Sequence, residues 1–232
     1  RTIQGEIEKA LMVIHKGEPT PIYGAGRTDA GVHAKAQTFH FESPFNIPAQ
    51  NWKKALNNMI PDDLYIQSVQ RVPATFHAQF DALEREYRYF VRRESERDVF
   101  NRLYAYHFPY PLDMNAILEA CEYLQGEHDF TTFSSAKSTV KGSKVRHLSV
   151  VRCIDRGSEL EFIFRANGFL YQMVRILVGT LLEVGQGRIK AADIPEMFAK
   201  KDRTLAGHTA PPHGLFLWEV SYPNTVISQE NP

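Results

Sequence analysis

The sequence predicts an α+β fold built from two pseudo-symmetric ferredoxin-like (split βαβ) halves, with antiparallel sheets meeting at a central cleft. Two observations carry that expectation. Apolar residues alternate between helical and strand spacing along the chain. Their order is helix, strand, strand, helix, strand over residues 3–72, and strand, helix, strand, strand, helix, strand over residues 86–222. The first run matches the second element for element once the opening strand is left out, so the sequence is expected to begin one strand late. The halves are expected at residues 1–83, carrying the glycine-rich loop described below, and 84–223, with 224–232 a loose polar tail.

Each element has a local reason. Ile3, Ile7, Leu11 and Ile14 share one helical face behind Thr2, a residue suited to capping. Pro21–Tyr23 and the alternating Gln37-Thr38-Phe39-His40-Phe41 read as strands. Pro48 suits a helix start, and Trp52, Leu56 and Met59 give that helix an apolar face. Pro61-Asp62-Asp63 then turns the chain into an expected strand, Leu64–Val72. In the second run, Glu86–Arg92 alternates as a β-prone strand. Asp113 caps a helix with Ile117, Leu118, Cys121 and Leu124 inside, stopped by Gly126. Leu148–Asp155 and Leu160–Ala166 are strands joined by Arg156-Gly157-Ser158. A helix over Leu170–Val184, a short helix over Ile194–Lys200 and a last strand over Leu215–Tyr222 complete the order.

A chain of 232 residues is long enough for a sizeable core. No apolar run approaches the roughly 20 residues of a membrane-spanning helix, since Gly179 and Thr180 interrupt Ile176–Leu182. Cys121 and Cys153 lie in different elements without metal-ligand spacing and read as cytosolic thiols, consistent with a cytoplasmic protein. His33, His128, His208 and His213 likewise show no ligand spacing, which argues against a metal enzyme. Lys plus Arg equals Asp plus Glu at 27 each, so net charge points to no partner. The distribution of charge says more. Ser134–Arg152 holds Lys137, Lys141, Lys144, Arg146 and Arg152 without an acidic residue, a strip suited to phosphates or to a solvated loop.

The stretch richest in chemistry is Gly24-Ala25-Gly26-Arg27-Thr28-Asp29-Ala30-Gly31-Val32-His33-Ala34, where three glycines surround an arginine and an aspartate. It has neither the lysine of a phosphate-binding P-loop nor a nucleophile-elbow serine. Asp29 is either a turn-capping aspartate or a reactive carboxylate. A guanidinium close by favours the ionised carboxylate that a nucleophile or base needs. Arg175 interrupts a mostly apolar helix. It either reaches the surface or needs a carboxylate partner, for which Asp29 is a candidate. Tyr87 and Tyr89 share one strand face and Arg88 points to the other, a pattern that fits core packing or the stacking of an unpaired base.

Gly26-Arg27-Thr28-Asp29-Ala30-Gly31-Val32-His33 is also the most specific part of a wider resemblance. With Leu56-Asn57, Pro61 and Asp63, Phe76-His77-Ala78, Arg85-Glu86-Tyr87-Arg88-Tyr89, Gly126-Glu127-His128-Asp129-Phe130-Thr131, Met173-Val174-Arg175, Val178-Gly179-Thr180-Leu181, Ala199-Lys200-Lys201-Asp202-Arg203 and Ala210-Pro211-Pro212-His213-Gly214-Leu215 in order, the chain resembles the TruA family of tRNA pseudouridine synthases. The resemblance departs at two places. The family's N-terminal strand with its Asp-Gly and Gly-Trp-Gln segment has no counterpart, and Gln79 stands where the family has an arginine.

That resemblance implies isomerisation of uridine to pseudouridine at tRNA positions 38–40, in the anticodon stem-loop, by a homodimer without cofactor or metal. It implies that Asp29 is the catalytic carboxylate, attacking ribose or base or else removing a ribose proton. Arg27 would hold the flipped nucleotide or its phosphate, Arg175 would pair with Asp29, Tyr87 would stack on the uracil, and Leu215 would wall the pocket. Lys137, Lys141, Lys144, Arg146 and Arg88 are the candidate RNA contacts. A catalytically silent tRNA-binding module on the same scaffold is the alternative, and a hydrolase with an aspartyl nucleophile ranks behind it.

Overall fold

A computed structural model describes residues 1–137 and 142–224, which group into two units. The first takes residues 1–27 and 38–82 with the segment from Tyr222; the second takes 28–37 and 83–221. Lys141 and the end of the tail, 225–232, lie outside the described residues.

In the first unit, helix α1 (Ile3–Ile14) starts where Thr2 accepts a hydrogen bond from the Gly5 amide at 3.1 Å. Its apolar face buries Ile7, Ala10 and Leu11, whereas Ile3, the first residue of the helix, stays exposed. Strand β1 (Tyr23–Gly24) pairs antiparallel with β3 (Phe39–His40), a ladder shorter than the alternation of residues 37–41 suggests. Helix α2 (Ala49–Asn57) follows Pro48 and buries Trp52 and Leu56 beside Ile22, Ile60 and Ile66; Met59, beyond its end, is exposed.

The expected strand Leu64–Val72 does not form. Ile66 is buried and Leu64 and Val69 pack on the core, but Ser68 is exposed, and among the described residues no neighbouring strand supplies a ladder. The Asn57 side chain takes that place. Its amide donates to the Ile66 carbonyl at 3.0 Å and its oxygen accepts the Ile66 amide at 2.7 Å. A buried backbone pair is thus satisfied without a sheet.

The second unit holds the larger sheet. Strand β2 (His33–Ala34) pairs parallel with β9 (Leu215–Ser221), and β9 pairs antiparallel with β4 (Glu84–Arg92). Beyond β4 lie β8 (Glu159–Ala166), β7 (Val145–Asp155) and β6 (Gly126–Asp129), all antiparallel; β5 (Tyr106–His107) adds a short parallel pairing to β4. Helices α3 (Met114–Leu124), α4 (Met173–Gly185) and α5 (Ile194–Lys200) complete it. The order β4-α3-β7-β8-α4-β9, with β9-β4-β8-β7 in the sheet, is that of a split βαβ unit.

Caps and turns set these elements. The Asp113 carboxylate accepts the Asn115 and Ala116 amides at the start of α3, and Gly157 takes φ +81° in the β7–β8 turn. Leu118, expected inside, is exposed. Helix α4 starts three residues later than its apolar run because Gln172 adopts a left-handed conformation, φ 60°, that ends the preceding turn. Tyr89, Val91, Leu160, Phe162, Phe164, Leu148, Val151 and Cys153 on the inner sheet face pack with Ile117, Leu124, Ile176, Leu177 and Leu181 from the helices. Among the described residues, no helix is long and apolar enough to cross a membrane.

Candidate active site

Asp29 opens a tight turn. Its carbonyl accepts the Val32 amide at 3.1 Å, and Gly31 takes φ +82°, the positive value that the third position of such a turn requires. A Cβ on Gly31 would also lie 3.1 Å from the Pro212 ring. Gly31 is therefore the motif glycine with a backbone reason; Gly24 and Gly26 have no positive φ. His33, at the end of the turn, stacks on Phe216 of β9 at 4.6 Å and bonds the Leu103 carbonyl through Nε2 at 2.7 Å. This stitching places residues 28–37 with the second unit.

The arginine on Asp29 is Arg175, 146 positions later. Arg175 Nη1 donates to Asp29 Oδ2 at 2.7 Å, and its Nε donates to the Ala210 carbonyl at 2.7 Å. The two side chains are 12% and 17% exposed, so the pair is shielded without being sealed off. Asp29 Oδ1 has no hydrogen bond among the described residues. Arg27, by contrast, is exposed and forms no ion pair among the described residues, so the charge on Asp29 is met by a helix side chain and not by its sequence neighbour.

Tyr87 meets Phe169 edge-on at 5.0 Å. Burial pushes its phenol up to about 12; Arg85 opposes that rise and the Asp29 carboxylate adds to it. Tyr87 therefore stays neutral and keeps its hydroxyl proton through the physiological range. Leu215 is buried in the same core, against which Val32 and Tyr87 also pack. Phe169 and the carbonyl of Ala210 are site elements that the spacing of the sequence does not single out. A phenylalanine four residues before Met173 looks like ordinary core, and a backbone carbonyl leaves no mark in a sequence.

The basic candidates are dispersed. Lys137 is exposed, and Lys144 and Arg146 are half-buried; Arg146 donates to the carbonyls of Ser143 (3.2 Å) and Val145 (2.6 Å). Arg88 faces away from Tyr87 and is tied to Glu86 and Glu161, 2.8 Å from each, while lying over the Trp218 ring at 4.2 Å. Cys121 and Cys153 are free and buried; burial raises both thiols, that of Cys121 to about 12, so neither is a ready nucleophile. Among the described residues, no group of three metal-ligating side chains converges.

An aspartate presented on a tight turn, gripped on one oxygen by a shielded guanidinium and near enough to a neutral phenol to affect it, makes a candidate carboxylate-centred site on an α+β scaffold. A family model described as tRNA pseudouridine synthase matches residues 1–81 and 120–223, and the chain belongs to that family. Individual relatives agree. Proteins named tRNA pseudouridine synthase A are 53% identical in Oceanobacillus iheyensis, over 96% of this chain and 88% of that one, and 51% in Geobacillus sp. (strain WCH70), over 97% and 90%. The protein of that name in Bacillus licheniformis is 50% identical over 97% of this chain and 91% of its own.

Proposed function

We propose that this chain is an isomerase, a tRNA pseudouridine synthase acting at tRNA positions 38–40 of the anticodon stem-loop, with Asp29 as its catalytic carboxylate. The observation that carries the reading is the asymmetry of Asp29: Oδ2 is held at 2.7 Å by Arg175 while Oδ1 is left for a reacting group. Family membership and the names of the relatives supply the reaction class.

The chemistry fits these groups. The C1′–N1 bond of uridine breaks, the uracil turns, a C1′–C5 bond forms, and the proton lost from C5 is balanced by one gained at N1. An ionised carboxylate serves the first step, as nucleophile or as base for a ribose proton. The base must first leave its stack, at a cost of a few kcal/mol. The detached uracil then needs an aromatic wall, Tyr87, and an apolar one, Leu215, that keep water from the open C1′. Arg27, exposed, is free to meet a phosphate or the flipped nucleotide. Lys137, Lys144 and Arg146 would track the RNA backbone. In this reading two copies of the chain share one tRNA, which accounts for a neutral protein binding a polyanion. The same reading takes residues 1–83 and 84–223 as pseudo-symmetric halves, supported by the repeated order of α1, β1, β3 and α2 against α3, β7, β8 and α4.

Tritium release from tRNA labelled at uracil C5 tests the assignment. Asp29→Asn should lower the single-turnover rate by at least about 10³-fold while tRNA binding persists. Release at the parental rate would contradict the proposal and leave a silent tRNA-binding module.

A further inference from the structure

Residues 207–215 form a strap laid along one face of α4. The Gly207 amide donates to Thr180 Oγ1 at 3.0 Å, and the His208 amide and Nδ1 each lie 3.0 Å from Glu183 Oε1. The His208 carbonyl sits so close to Gly179 that a Cβ there would come within 1.8 Å of its oxygen. The Ala210 amide then donates to the Arg175 carbonyl at 3.0 Å, and the Ala210 carbonyl receives Arg175 Nε. The backbone of Ala210 thus meets both the main chain of Arg175 and the guanidinium that grips Asp29.

Tyr89 holds the next peptide unit along the strap. The side chain is fully buried, and its hydroxyl donates to the Pro211 carbonyl at 2.7 Å. Its ring also seats the end of the strap, since a Cβ on Gly214 would lie 2.8 Å from two ring carbons. Pro211 and Pro212 bring no amide donors of their own, and Pro212 backs the Asp29 turn at Gly31. Arg175, the Asp29 turn and Leu215 are therefore all referred to one strap, and the Tyr89 hydroxyl pins its centre. Burial raises that phenol far above its ordinary range, so the hydroxyl remains a donor.

We propose that Tyr89 is a positioning residue: acting through the Ala210–Gly214 strap, its hydroxyl fixes the Arg175 guanidinium on Asp29. The inference rests on Asp29 being the catalytic carboxylate. It differs from a packing role, which the ring alone fulfils, and the two separate cleanly because Tyr89→Phe keeps the ring and deletes one hydrogen bond.

The experiment compares Tyr89→Phe, Arg175→Lys, their double variant, and Thr132→Val, at a temperature where all are folded. Thr132→Val deletes another buried hydroxyl of the same unit, bonded to the Met197 carbonyl at 2.5 Å and not to the strap. Tyr89→Phe should lower kcat about tenfold with KM for tRNA within about twofold of the parent, the kinetic counterpart of one hydrogen bond. Thr132→Val should lower the melting temperature comparably and leave kcat alone. The double variant should lose no more than Arg175→Lys, because both act on one group. A parental kcat in Tyr89→Phe, an equal kcat loss in Thr132→Val, or additive losses in the double variant would overturn the proposal. Parental activity in Asp29→Asn would instead overturn the catalytic reading beneath it.

Discussion

Two of the carboxylate–arginine systems in the second unit lie on opposite sides of β4. On the side of Arg88, Glu86 and Glu161 are almost wholly buried, at 4% and 2% exposure, and every carboxylate oxygen has a guanidinium. Glu86 takes Arg88 on one oxygen and Arg165 on the other; Glu161 takes Arg88 and Arg156. On the side of Tyr87 and Tyr89, Asp29 has a single arginine on a single oxygen. Charge and burial alone do not mark a reactive carboxylate. A saturated one is structural glue whose lone pairs are spoken for, whereas a half-held one keeps both its orientation and a free oxygen.

Substituting Arg175 should produce the larger effect on chemistry. Arg175→Lys keeps the charge but cannot offer Nε to the Ala210 carbonyl and Nη1 to Asp29 in one planar fork. A loss of about 10²-fold in kcat with the fold retained is expected from tritium release and circular dichroism. A parental rate would mean that charge alone, and not the geometry of the pair, matters.

Glu161→Gln should act on stability instead. Removing one buried partner from the saturated network should cost about 2 kcal/mol, a fall of about 4–8 °C in melting temperature for a chain of this size. Its pH dependence follows from the sign of its shift. Burial would raise the Glu161 carboxyl, but hydrogen bonds from Arg156 and Arg88 outweigh it and hold the group below its ordinary 4.5. The stability it contributes is thus complete above pH 4.5 and lost as pH falls through the lower folded value. Urea melts between pH 3 and 6 should show a flatter acid limb for Glu161→Gln than for the parent.

The smallest effects are expected where neither system is touched. Lys137→Ala and Lys144→Ala should each weaken tRNA binding a few-fold and reduce the slope of log affinity against log salt by about 1, with kcat unchanged. A salt slope that does not move would remove these lysines from the RNA path.

Much of this architecture is legible where the cause is local. Thr2 and Asp113 announce their helices because a cap acts within three residues, and the alternation of β4 and β8 shows because their inner face is buried along its length. The expected strand at Leu64–Val72 failed for the opposite reason. Alternation reports which side is buried, not whether a partner strand exists, and Asn57 supplied the hydrogen bonds instead. Strands β2 and β5 are invisible in sequence because two residues carry no period and are defined only by distant β9 and β4. The site divides in the same way. Asp29 stands out in its glycine-rich turn, and Arg175 stands out as a charge on an apolar helix. Which arginine meets Asp29 is a tertiary fact, as is the route from Tyr89 through Pro211 to Ala210.

The most direct test of the contrast is to measure single-turnover tritium release and thermal stability together on Asp29→Asn and Glu161→Gln. The two properties should cross: Asp29→Asn melts close to the parent and is inactive, while Glu161→Gln melts several degrees lower and, where folded, turns over at the parental rate. A Glu161→Gln protein that is folded but inactive, or an Asp29→Asn protein that turns over normally, would contradict the account.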